Sequence, residues 1–98
     1  MKTLSEAERG LTAAAARLSE ELVRLDGAAL GLSELGRLEL ACAKASAPRC
    51  LDRSIFILER ALKLAGLPKE EVALADYGGG LGLMSLLACE FGMGKVLY

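Results

Sequence analysis

One segment of this sequence combines residue types and spacing that could do chemistry: Asp76-Tyr77-Gly78-Gly79-Gly80-Leu81-Gly82. Its acid is followed by glycines at alternate positions, Gly78, Gly80 and Gly82. Glycines there let a backbone turn tightly and let a ligand approach the main chain without meeting Cβ atoms. If a strand enters the turn and a helix leaves it, the free N–H groups of the helix start face the same place. Ligands of open α/β sheets bind at such a point.

Other chemical candidates are weaker. A dinucleotide fingerprint needs a third glycine at position 83 or 85, which hold Leu83 and Ser85. A phosphate loop needs Gly-Lys followed by Ser or Thr, but Val96 follows Gly94-Lys95. Ser85 reads as a first-turn helix residue rather than a nucleophile, because the chain has no His to activate it. Cys42, Cys50 and Cys89 form no Cys-x-x-Cys pair, which speaks against a zinc site and leaves three reduced thiols, with Cys89 expected in the core. Glu6, Glu8, Glu20 and Glu21 read as a solvated helix face.

The elements needed to position the glycine segment flank it. Val72-Ala73-Leu74-Ala75 is a short apolar run with the form of a buried parallel strand, and residues 72–77 are expected to deliver Asp76 to the turn. A helix over residues 81–91 and a second strand, Lys95-Val96-Leu97-Tyr98, complete a strand–helix–strand unit.

Acidic-x-Gly-x-Gly-x-Gly, realised as Asp76, Gly78, Gly80 and Gly82, resembles the first motif of class I S-adenosylmethionine-dependent methyltransferases. The resemblance covers residues 72–98 and implies a Rossmann-like fold. Gly78, Gly80 and Gly82 would line the methionine and ribose portions of the cofactor. Asp76 would bond to the loop backbone or, through water, to the methionine amino group. Tyr77 and Gly79 would be neighbours whose roles the motif does not fix. In that fold an acid at the end of the second strand usually holds the ribose hydroxyls, and later strands bind adenine and the methyl acceptor. Tyr98 is the last residue here, so the resemblance implies an N-terminal portion of such an enzyme, itself inactive and binding the cofactor weakly or not at all.

Residues 1–66 read as a helical region and residues 67–98 as the first unit of the cofactor domain, an α/β chain that is mostly helical. Three N-terminal helices are expected. Ser5-Glu6-Ala7-Glu8 has the form of a capping box and starts the first, whose apolar face is Leu11, Ala14, Ala15, Leu18, Leu22 and Leu25, with Gly27 as its stop. Ser33 caps a second helix to about Ala45, with Leu35, Leu38 and Cys42 on one face. Ser46-Ala47-Pro48 opens a third, with proline in its first turn, running through Ile55, Phe56, Leu58 and Leu62 to Gly66. Ile57 and Leu64 widen its apolar face, so this helix is expected to be the most buried.

Composition bounds the remainder. The chain has 98 residues, 53% hydrophobic with only 4% aromatic, so Leu and Ala carry the apolar load and helix is favoured. A net charge of -1 without a block of like charges is no footprint for nucleic acid or anionic lipid. Charged residues follow Met1-Lys2-Thr3 closely, and no apolar run is long enough for a membrane span, so a cytoplasmic protein is expected. Two short strands leave unpaired edges, so a homo-oligomer is expected, burying those edges together with Leu18, Leu22, Ile55 and Leu62. The alternative from another class is a small helical oligomerisation or interaction protein in which the glycine segment only connects.

Overall fold

The computed structural model describes residues 5–77 and 82–98. In chain order they form α1 (Glu6–Arg24), α2 (Glu34–Ala65), a 3-10 turn (Lys69–Glu71), β1 (Ala73–Ala75), α3 (Leu83–Phe91) and β2 (Lys95–Leu97). The protein is mostly helical with a two-stranded parallel sheet.

Ser5 caps α1, its Oγ accepting from Glu8 N at 3.1 Å. The helix ends at Leu25, two residues before Gly27, and Lys44 Nζ donates to the carbonyl oxygen of Leu25. Leu11, Ala14, Ala15 and Leu18 are buried, as their spacing predicts.

Two N-terminal helices are present where three were expected, because α2 runs unbroken for 32 residues through Pro48. Proline removes one helical N–H and crowds the carbonyl four residues back, at a cost of about 3 kcal/mol. Here the affected carbonyl is that of Lys44, and Pro48 lies on the exposed side of the helix, where water can take the orphaned acceptor. Beside it Ala43, Ala47, Leu51, Ser54, Leu58 and Leu62 form one buried stripe in continuous helical phase. Burial of each leucine contributes roughly 1.5–3 kcal/mol, enough to offset the proline. Ser46 is no cap either: its Oγ donates back to Cys42 O at 2.9 Å.

The same phase overturns two burial expectations. Leu35 and Leu38 are 65% and 62% exposed, and Cys42 is exposed, because they lie across the helix from the buried stripe. Phe56, Ile57 and Leu64 are exposed too, so the second half of α2 is buried along one stripe rather than over the widened apolar face expected. Leu18 and Leu62 are buried within one chain, so they are not left for an interface between copies, while Leu22 and Ile55 pack partly buried beside them.

α3 packs across α1 and α2 through Leu83, Leu87, Ala88 and Phe91. Gly10 permits the approach of α1: a Cβ there would stand 2.7 Å from Phe91 Cε1. Cys89 is exposed rather than in the core. β1 and β2 pair in parallel, with Ala73, Leu74 and Ala75 opposite Lys95, Val96 and Leu97. Only one face of the sheet is covered. Leu74 and Val96 pack on the helical core, while Ala73, Ala75, Lys95 and Leu97 are exposed, so β1 is half-exposed rather than the buried strand expected. Among the described residues no helix is long and apolar enough to cross a membrane.

Candidate functional site

Asp76 and Gly82, the two ends of the glycine segment, lie where the C-terminal ends of both strands meet the start of α3. Asp76 directly follows β1, and its N–H donates to Leu97 O at 2.7 Å, extending the parallel ladder by one rung. Its backbone is therefore fixed by β2. Its carboxylate is fixed by α3: Ser85 Oγ, on a residue only 6% exposed, donates to Asp76 Oδ2 at 2.9 Å. Tyr77 is fully exposed. Gly78, Gly79 and Gly80 lie outside the described residues.

Gly82 is the N-cap of α3 and is buried, with φ 77°, a left-handed conformation that favours glycine. Its carbonyl accepts the first helical bond from Leu86 N at 2.9 Å. No side chain caps the helix start, and the first turn of α3 carries no acidic residue. The ring of Tyr98, just past β2, lies over Gly82: a Cβ on Gly82 would meet Tyr98 Cε2 at 3.3 Å. Asp76, Gly82, Ser85 and Tyr98 thus converge on one end of the sheet.

This arrangement is electrostatically mixed. The N-terminal end of α3 carries the positive end of the helix dipole and favours a carboxylate or hydroxyl oxygen. Asp76 beside it brings a full negative charge, which favours a cationic or hydrogen-bond-donating group and disfavours phosphate. A ligand with an ammonium and a carboxylate close together suits both.

No protein family, curated protein or solved structure matches this chain. The site therefore stands on its own residues and geometry.

Two surface hollows of about 510 and 700 Å³ open beside α1, and neither includes Asp76, Tyr77 or Gly82. The first contains Glu59, whose carboxylate bonds to Lys63 Nζ at 2.7 Å and Ser5 Oγ at 3.2 Å. These bonds, that to Lys63 foremost, hold the Glu59 carboxyl below the ordinary glutamate value. The cluster ties the N-terminus of α1 to α2, and its groups are satisfied by one another. Glu6, Glu20 and Glu21 are exposed, as a solvated face requires, with Glu8 half-buried.

Sequence reasoning placed Asp76 and Gly82 at this end of the sheet and missed what Ser85 and Tyr98 do there. A signal for Ser85 existed: three residues beyond Gly82, it falls in the first turn of α3, beside the strand end that carries the acid. Nothing local in the sequence pointed to Tyr98.

Proposed function

We propose that this chain is the N-terminal portion of a class I S-adenosylmethionine-dependent methyltransferase and carries the first wall of its cofactor site in a Rossmann-like unit. The observation that carries the reading is the parallel strand pair whose crossover runs through the glycine segment and α3, with Asp76 fixed at the strand end. The motif spacing, Gly78, Gly80 and Gly82 after Asp76, supports S-adenosylmethionine over a dinucleotide. Methyl transfer depends chiefly on holding donor and acceptor in line. Two strands and one crossover helix supply a single wall, so the 98-residue chain binds the cofactor weakly and transfers no methyl group by itself.

NMR titration of the labelled chain with S-adenosylhomocysteine tests this. Shifts confined to residues 76–85, with a dissociation constant in the millimolar range, are expected, and Gly80→Val should erase them by placing a branched side chain where the backbone must approach the ligand. Titration without localised shifts, or localised shifts that survive Gly80→Val, would count against the reading.

A second reading, an oligomerisation or interaction protein, is favoured by the outer face of α2. Leu35, Leu38, Cys42 and Phe56 share that exposed face with Arg49, Arg53 and Arg60, and the Arg60 guanidinium sits 4.9 Å from the Phe56 ring centre. Exposed apolar residues aligned along one helix face mark surfaces that meet a partner. The two readings are compatible if α2 pairs copies of a methyltransferase.

A further inference from the structure

We infer that Ser85 is a positioning residue for the Asp76 carboxylate and thereby for recognition of the ligand's amino group, an inference that rests on the methyltransferase reading. The hydroxyls of Thr12, Ser46 and Ser54 each bond to the carbonyl four residues earlier in their own helix, at 2.8, 2.9 and 2.8 Å. That is the ordinary outlet for a hydroxyl inside a helix. Ser85, in the first turn of α3 where the helix offers no carbonyl four residues back, reaches to the end of β1 and donates to Asp76 Oδ2 at 2.9 Å. Ser85 is itself buried, so the bond is made in a setting where water competes little.

A free aspartate side chain has several rotamers, and one hydrogen bond to a buried donor selects among them. With the Asp76 backbone held by Leu97 O and Oδ2 held by Ser85, both ends of the residue are tied to different elements. A carboxylate has about four acceptor sites, and Ser85 uses one. The rest of that capacity keeps a defined direction, available to the glycine turn or to a donor on the ligand. A freely rotating carboxylate would have to be ordered during binding, which weakens it. Ser85 removes that requirement, and its effect belongs to ligands that carry a hydrogen-bond donor where the carboxylate aims.

The test uses two probes on the whole chain, S-adenosylhomocysteine, which has the amino acid portion, and methylthioadenosine, which lacks it. Ser85→Ala should weaken S-adenosylhomocysteine roughly tenfold, the range for losing support of a charged hydrogen bond, and leave methylthioadenosine unchanged. Ser85→Thr, which keeps the hydroxyl, should restore most of the loss. Equal weakening of both probes would mean that Ser85 serves only folding and would overturn the inference. Side-chain couplings of Asp76 provide a readout that needs no ligand: one rotamer in the native chain and averaging in Ser85→Ala are expected. A single rotamer in both overturns the positioning role whatever the probes do. Localised binding by the native chain together with unchanged affinity in Ser85→Ala overturns the inference while leaving the methyltransferase reading intact. Failure of both probes to bind at the turn removes the reading and, with it, the inference.

Discussion

Gly94 is held tightly by the backbone of its neighbours. The backbone of the 3-10 turn crosses it so closely that a Cβ there would stand 2.0 Å from Glu70 O and 2.8 Å from Glu70 C. Main chain cannot swing aside as a side chain can, and Gly94 N also donates to Lys69 O at 3.0 Å. Gly94→Ala should therefore cost roughly 2–4 kcal/mol, read as a lower urea midpoint; an unchanged midpoint would show that the turn yields. Glu59 gives a pH dependence. Its carboxyl is depressed in the fold by Lys63 and Ser5, so its contribution is fully present above the unfolded glutamate value and is lost as pH falls through the lower folded value. In acid titrations followed by circular dichroism, the native chain should lose stability across that window more steeply than Glu59→Gln. Parallel curves would mean that the pair contributes nothing to folding.

At the scale of elements, α2 decides the shape of the helical part. Sequence reasoning divided it at Ser46-Ala47-Pro48 because a hydroxyl before a proline is a common helix start. The signal against division was the phase of Ala43, Ala47, Leu51, Ser54, Leu58 and Leu62, whose steps of three and four run straight through the proline. The two views give opposite predictions for Pro48→Ala. In a continuous helix the change restores an N–H for Lys44 O and relieves crowding, while added freedom of the unfolded chain subtracts about 0.4–1 kcal/mol. A net gain of about 2 kcal/mol, seen as a higher melting temperature, is expected. A proline in the first turn of a separate helix would give no gain, so an unchanged or lower melting temperature would speak for two helices. Lys69 shows how the sheet is anchored to α3: its Nζ donates to Phe91 O at 2.7 Å and sits 4.3 Å from the Phe91 ring centre, a favoured site for a cation at a helix C-terminus.

For the whole molecule, the covered and uncovered faces set the expectation for assembly. The helices fill one side of the sheet, leaving the outer face with Leu97, and the far side of α2 presents Leu35, Leu38 and Phe56. Two-stranded sheets are marginal and open edges invite pairing, so the protein is expected to self-associate. Light scattering at micromolar concentration should give a mass above the 10.3 kDa of one chain. A monomer mass with a melt independent of concentration would show that one chain suffices, and Leu38→Glu with Phe56→Glu should reduce the mass if the α2 face is the contact. The sequence by itself determined the local features: the cap at Ser5, the left-handed end at Gly66, the strand pair around the glycine segment and the place of Asp76 at its mouth. Those depend on spacing, turn chemistry and caps, which are written in neighbouring residues. Tertiary structure decided which of several apolar stripes faces inward, whether Pro48 ends a helix, which side of β1 is covered, and that Ser85 binds Asp76. Leu35 and Leu58 are the same residue with the same helical preference, and only the contact with α1 and α3 leaves one in water and makes the other core, because burial is a property of the partners that pack against a face.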